Sequence, residues 1–254
     1  MPSTNQYYLL RQQCLLESTR PFKARGAAVA RCNDCQLASF ACLCSWRPQM
    51  ASQCEFVVLM HRGEIFKPTN TGRLIADVLP HKTHVFLWQR TEPELALLAL
   101  LKDESRQCFI VFPSDQQAES ERQVYSALPA TDKTITFILL DGTWKQSGRM
   151  FNLSRWLDAV PSLSLPETLM RSYAVRKSHQ DNYLSTVEAA GLCLQLAGEI
   201  SQSELLLDYF ALFNQHYLAT RGCYPPQISD VHQRMARQLT HEADINVPVL
   251  RNEQ

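Results

Sequence analysis

From about residue 54 the chain alternates short, nearly continuous apolar runs with longer stretches in which apolar positions recur every three or four residues. The runs CEFVVLMH, THVFLW, CFIVF and TITFILLD, and the shorter SLSLP, predict strands whose two faces are both covered, because they lack the in-out alternation of a sheet with one wet face. The stretches TGRLIADVL, EPELALLALLKD, KQSGRMFNLSRWLDAV, LSTVEAAGLCLQLAGEI and SELLLDYFALFNQHYL predict helices between and after them. Together they indicate an α/β fold, a mostly parallel sheet with helices on both faces. The expected division is a basic N-terminal segment over 1–50, an α/β domain over 51–222, and a polar, peripheral C-terminal tail over 223–254. Ligands of such sheets bind beyond the carboxyl ends of the strands. Three strand or loop ends fall there: Phe112-Pro113-Ser114, Asp141-Gly142-Thr143-Trp144, and Leu184-Ser185-Thr186-Val187-Glu188.

Part of the polarity at these ends has a local explanation. Ser185-x-x-Glu188, Thr143-x-x-Gln146 and Ser114-x-x-Gln117 are capping boxes, in which a hydroxyl and a carboxylate or amide satisfy the first free N–H groups of a helix. Capping leaves Asp141 and Trp144 unexplained. A carboxylate at the mouth of a buried strand is partly desolvated, which raises its pKa and suits it either to accept a proton or to hold a ligand hydroxyl or amine. Gly142 lets the backbone turn tightly and approach a ligand, while Trp144 reads as a stacking face or as core.

The chain has 254 residues, 45% of them hydrophobic, and no net charge, so it can build a full core and does not hold nucleic acid by bulk electrostatics alone. No apolar run approaches the roughly 20 residues of a membrane span, and the start MPSTNQYYLLRQQ lacks the pattern of a signal peptide. A cytoplasmic protein is expected, with no membrane association and no obligate protein partner. Charge is uneven: residues 1–50 carry six Lys and Arg against two acids. The same segment holds Cys32, Cys35, Cys42 and Cys44 in the spacing C-x2-C-x6-C-x-C. In a reducing compartment four such thiols suit one tetrahedral zinc, which neutralises and crosslinks them. Cys14, Cys54, Cys108 and Cys193 sit in apolar surroundings and read as small core residues.

A further polar stretch, HRGEIFKPTNTGRL, follows the first strand and contains His61, Arg62, Glu64, Lys67, Thr69, Asn70, Thr71 and Arg73. It reads equally as a cradle for phosphate or sugar and as a solvated loop in which Thr71 caps the next helix. A second basic loop, with Arg171, Arg176 and Lys177, precedes LSTVE.

The ordered set RCNDCQLASFACLC, HRGEIFKPTNTGRL, FPS, LLDGTW and LSTVEA resembles the DTW-domain family, and in particular its bacterial tRNA-uridine aminocarboxypropyltransferases, over about residues 30 to 210. The resemblance implies a SPOUT-like core, in which knotted loops bind S-adenosylmethionine, although general topology rules run against knots. It implies a cofactor pocket formed by Pro113, Ser114, Leu140, Gly142, Thr143, Trp144, Leu184, Ser185, Thr186 and Glu188, with Asp141 and Arg176 at the reacting centre. The implied reaction moves the 3-amino-3-carboxypropyl group of S-adenosylmethionine to N3 of a tRNA uridine and releases methylthioadenosine. Asp141 is the expected base, and Arg176 the expected partner of the methionine carboxylate or of an RNA phosphate. Arg25, Arg62, Lys67 and Arg73 are the expected tRNA contacts. Two other functions fit the same residues: a SPOUT-type RNA methyltransferase, and a zinc-bearing RNA-binding module without catalysis.

Overall fold

A computed structural model describes residues 5–19, 29–113, 122–170 and 184–241. Among them six strands form one all-parallel sheet: β1 (Glu55–Met60), β2 (Thr83–Leu87), β3 (Arg106–Val111), β4 (Val124–Tyr125), β5 (Thr134–Asp141) and β6 (Ser162–Leu163). Their order is β2-β1-β5-β3-β6-β4, so β5 lies between β1 and β3, with Met60 beside Asp141 and Ile110 beside Ile138.

The continuous apolar runs have the expected cause. Successive side chains of a strand point to opposite faces, and here both faces are covered. Phe56, Val58, Met60, Phe137 and Leu139 enter one apolar cluster, whereas Val57, Leu59, Ile138 and Leu140 enter the other. The second cluster is closed by α3 (Leu95–Lys102) and α4 (Trp144–Leu153), through Leu97, Leu100, Met150 and Phe151. The first is closed by α2 (Gly72–Val78), α5 (Thr186–Leu196) and α6 (Ile200–Gly222). Cys14, Cys54, Cys108 and Cys193 are buried, as expected of core thiols.

Four features depart from the sequence reading. Residues 6–17 form a helix, α1 (Gln6–Glu17), capped by Asn5 and anchored by the Tyr7 hydroxyl, which donates to the Ile65 carbonyl at 2.9 Å. The apolar cluster that holds Phe56 also holds Tyr7, Leu37, Leu43 and Trp46, so the core runs across the boundary expected at residue 50. The segment expected to be a peripheral tail contains α7 (Asp230–His241), which buries Met235 and Leu239 against α6. The helix expected to run to Val160 stops at Leu153 and gives way to a 3₁₀ turn over Arg155–Leu157. No helix among the described residues is long and apolar enough to cross a membrane.

Candidate active site

The carboxyl ends of β3, β5 and β6 open into a cavity of about 710 Å³, closed on one side by the start of α5. Its volume is in the range of small-molecule sites. Pro113, Leu140, Asp141, Gly142, Trp144, Leu184, Ser185 and Thr186 line it, together with Asn70 and Thr71 from the loop before α2 and Ser164, Leu165 and Glu167 beyond β6.

Asp141 ends the central strand β5 and is 3% exposed. Its carboxylate is held from two sides: the Asn70 amide donates to Oδ2 and the Thr186 hydroxyl to Oδ1, each at 2.5 Å. One carboxylate thus ties together the loop after β1, the end of β5 and the first turn of α5. Burial pushes the Asp141 carboxyl up to about 6, against the downward pull of the Thr186 and Asn70 hydrogen bonds. Neutral donors orient the group without the full stabilisation that a cation would give its charge.

Asn70 is itself fixed. Its side-chain oxygen accepts the backbone N–H of Arg73 at 3.1 Å, so its NH₂ is the end turned to Asp141. Asn70 therefore does the capping that one of the two readings gave to Thr71, whose side chain makes no cap hydrogen bond. Gly72 suits this close approach: a Cβ there would stand 3.0 Å from Asp141 Cγ and 3.0 Å from Val58 Cγ1, so its neighbours would have to give way. Asn70 was visible in the sequence only as one of many polar residues. The cue to Gly72 was a poor helix former opening a helix.

The turn after Asp141 is a capping box, as the spacing predicted, with the Thr143 N–H donating to Gln146 Oε1 at 2.8 Å. That bond leaves the Gln146 amide nitrogen facing His61 Nδ1 at 3.1 Å. The Gly63 N–H also points at His61 Nδ1, at 3.4 Å, so Nδ1 is an acceptor. The imidazole stacks on Trp88 with ring centroids 6.1 Å apart. Gly142 fits here because a Cβ would stand 3.0 Å from Gln146 Cβ.

Thr143 and Glu188, expected at the cofactor, lie outside the cavity lining. Glu188 is 2% exposed and accepts from Ser185 N at 2.7 Å and Ser185 Oγ at 2.6 Å, completing a second capping box. Ser114, Arg176 and Arg25 fall outside the described residues. Of the expected tRNA contacts, Arg62 is exposed beside His61, and Lys67 is half-buried and paired with Glu64 at 2.5 Å. Arg73 does not fit that expectation: it is 2% exposed, with its guanidinium under α6, 5.1 Å from the Phe213 ring centroid. All seven residues of α2 are buried, so the polarity of the sequence around Arg73 misrepresents its place.

The four cysteines of the N-terminal segment converge. Their Sγ atoms all lie within 4.8 Å of one another, with Cys32 to Cys44 at 3.6 Å and Cys35 to Cys42 at 3.7 Å. Four sulfurs about 2.3 Å from one tetrahedral zinc stand about 3.8 Å apart, so the cluster fits that ion. Gln36, directly after the second cysteine, takes a left-handed conformation, φ 61°, with its N–H donating to the Cys32 carbonyl at 2.9 Å, and the Leu43 N–H points at Cys35 Sγ at 3.5 Å.

A family model described as the DTW domain matches residues 29–218. A mouse protein named tRNA-uridine aminocarboxypropyltransferase 2 is 24% identical over 213 residues, covering 76% of this chain and 70% of that protein. Proteins of the same name from Drosophila melanogaster and Macaca fascicularis are 27% and 25% identical over 169 and 172 residues, each match covering 65% of this chain. The matches span 65% of the fly protein and 55% of the macaque one. No solved structure matches the chain.

Proposed function

The chain belongs to the DTW domain family, and from that premise we propose that it transfers the 3-amino-3-carboxypropyl group of S-adenosylmethionine to N3 of a uridine in tRNA. The observation that carries the proposal is Asp141, a carboxylate with a raised pKa in the wall of a cavity of nucleoside size. The names of the relatives supply the reaction class.

Uridine N3 carries a proton at neutral pH and is a poor nucleophile. In the proposed step Asp141 takes that proton as the N3 lone pair attacks the γ-carbon of the methionine arm. The bond from that carbon to the sulfonium breaks, and methylthioadenosine leaves with the electron pair. A positioned base of this kind contributes on the order of 10²–10⁴ in rate. Asn70 and Thr186 are positioning residues, since both donate to the carboxylate. Each carboxylate oxygen that accepts one hydrogen bond retains a second acceptor site for the incoming N3–H. Leu140, Leu184 and Trp144 offer apolar faces to the adenosine of the donor, with Ser185 beside them. Regiochemistry depends on which carbon of the sulfonium lies in line with N3, so these contacts must fix the methionine arm as well as the adenosine.

The uridine must be unpaired and turned outward to reach Asp141, which fits a tRNA loop. Arg62 and Lys67 stand on the β1 side of the site and are the proposed phosphate contacts; Arg176 remains the proposed partner of the methionine carboxylate or of a phosphate. A SPOUT-like arrangement of the cofactor loops, a zinc held by Cys32, Cys35, Cys42 and Cys44, and a cytoplasmic location belong to the same reading. Zinc here would crosslink the N-terminal segment and take no part in transfer.

The test is nucleoside mass spectrometry after incubation with S-adenosylmethionine and tRNA lacking the modification. A uridine gaining one aminocarboxypropyl group is expected. A gain of one methyl group would instead make the protein a methyltransferase, and no gain with tRNA still bound would leave a binding module.

A further inference from the structure

The turn that follows Asp141 separates two surfaces of opposite charge. On one side is the cavity, whose charged lining among the described residues is Glu64, Asp141 and Glu167, with no lysine or arginine. Lys67 meets Glu64 from beyond that lining. Such a wall suits a sulfonium cation and repels the phosphates of a nucleic acid. On the other side the ends of β1, β2 and α4 are joined into one continuous surface. His61, next after β1, faces Gln146 of α4 and stacks on Trp88, next after β2. Trp88 Nε1 donates to Ser154 Oγ at 2.8 Å and Trp156 Nε1 to the Gln89 carbonyl at 3.1 Å, which ties the segment after β2 to the end of α4. Arg62, Arg90, Lys145 and Arg149 are exposed on these elements, and among the described residues none of them makes an ion pair. Lys145 and Arg149 stand one turn apart on α4, which contains no Asp or Glu. Lys145 lies in the first turn, where the helix dipole disfavours a cation, so helix stability does not account for it. Glu92 and Glu94 follow Arg90 without pairing with it, and Asp158 is taken by Arg122 and Arg155.

His61 adds a directed donor to this basic surface. Gln146 Oε1 accepts the N–H and the hydroxyl of Thr143, at 2.8 and 2.9 Å, so its NH₂ is the end turned to His61 Nδ1. A glutamate would complete the same capping box but could not donate to the imidazole. With Nδ1 accepting, the neutral ring carries its hydrogen on Nε2, which makes no hydrogen bond among the described residues. That N–H is held beside the reacting strand end, because the His61 backbone N–H donates to the Asp141 carbonyl at 2.9 Å. We propose that the tRNA backbone flanking the target uridine lies across this surface, with Arg62, Lys145 and Arg149 against its phosphates and His61 Nε2–H donating to a phosphate oxygen. The inference rests on the tRNA reading above and adds to it the exposed face of α4 and a preset neutral donor. The acidic cavity is left to the sulfonium donor, and the uridine reaches Asp141 from the β1 side.

Binding of an unmodified tRNA transcript to the full-length protein is followed by fluorescence anisotropy over a salt series at about pH 8, without donor. The double variant Lys145→Ala, Arg149→Ala is expected to weaken binding by on the order of tenfold at low salt. It should also reduce the slope of log K against log salt by about one to two, the number of phosphates no longer neutralised. His61→Phe keeps a ring on Trp88 and removes the donor, so binding should weaken about three- to tenfold with the slope unchanged. The control Lys133→Ala, Arg221→Ala removes the same charge just before β5 and at the end of α6, and should leave the slope in place. Melting temperature and donor affinity of both double variants should match the parent, because all four side chains are exposed. A parental slope in the α4 variant, or an equal fall in the control, would overturn the inference. So would a drop in melting temperature that accounts for the lost binding, the mark of a structural role. His61→Phe binding as tightly as the parent would overturn the assignment of His61. A parent that binds donor but no tRNA would overturn the tRNA reading itself, an outcome distinct from tRNA held with a slope indifferent to Lys145 and Arg149.

Discussion

At the amino end of the sheet Glu55 opens β1 among Arg106 Nε at 3.0 Å, His84 Nε2 at 3.3 Å and Lys82 Nζ at 3.5 Å; at the carboxyl end Asp141 closes β5 between the Asn70 amide and the Thr186 hydroxyl. Both carboxylates are largely buried, at 8% and 3% exposed. Burial works to raise both, but at Glu55 the hydrogen bond and charge of Arg106, with help from His84, overcome it and hold the carboxyl below its ordinary value. At Asp141 no comparable cation intervenes: Lys67 is paired with Glu64, and the carboxyl rises to about 6. A group held permanently ionised by cations ties strands together and is a poor proton acceptor. A group oriented by neutral donors keeps its geometry while its pKa approaches neutrality, which is what a general base requires. The two ends of one sheet thus separate stability from chemistry.

The largest expected effect breaks the carboxyl end. Asp141→Asn should lower the single-turnover transfer rate by about 10²–10⁴ while donor affinity stays within a few-fold, because the amide keeps the shape and cannot take the N3 proton. The same variant should be more stable than the parent at pH 7 to 8, by on the order of 1–3 kcal/mol. The sign follows from the raised pKa: stability contributed by the Asp141 carboxyl is complete below its ordinary pKa and is lost as pH rises through about 6. The gain should therefore vanish in melting curves recorded below about pH 4. A variant that transfers at the parental rate once the donor saturates would make Asp141 a ligand of the donor instead of a base.

Glu55→Gln should do the reverse. Transfer should stay near the parental rate, and stability at neutral pH should fall by about 1–3 kcal/mol, because Arg106 and Lys82 lose the charge that compensates them. Here the folded-state pKa is depressed, so the stability at issue is present above the ordinary glutamate pKa and is lost as pH falls through the folded value. Denaturant melts at pH 7 and at progressively lower pH should show the two proteins converging in acid. A transfer defect as large as that of Asp141→Asn would erase the contrast between the two ends.

The sequence disclosed the layers more readily than the edges. TITFILLD and EFVVLM lie wholly inside β5 and β1, since a strand buried on both faces must be apolar throughout. The helix α1 was illegible because only Tyr7 and Cys14 of its twelve residues are buried, and of the described side chains of α7 only His232, Met235 and Leu239 are buried. Strand β4 is two residues long and exists because β6 offers it an edge. At the site, Asp141 was legible because a carboxylate ending an apolar run has no local use. Asn70 and Gly72 were not, because what gives them their place is the approach of Asp141 from 69 to 71 residues further along the chain. The residue most misread was Arg73: polarity suggested surface, but the same helix places Leu74, Ile75 and Ala76 in the core, and no face of α2 is left to solvent.

The smallest expected effect sharpens the comparison within the site. Thr186→Val keeps the size of the side chain at the start of α5 and removes the hydroxyl that donates to Asp141 Oδ1. Only the ionised carboxylate gains fully from that donor, so its loss should raise the Asp141 pKa further, and the midpoint of the pH–rate profile should move up by on the order of one pH unit. Above the new midpoint the rate should recover to the parental plateau or slightly exceed it, because a carboxylate of higher pKa is the stronger base. A control at the other end, His84→Gln, leaves Glu55 paired with Arg106 and should not move the midpoint. Single-turnover rates from pH 5 to 9 for parent, Thr186→Val and His84→Gln measure both. If Thr186→Val left the midpoint in place and weakened donor binding instead, the hydroxyl would belong to the donor, and the raised pKa of Asp141 would depend on burial and Asn70 alone.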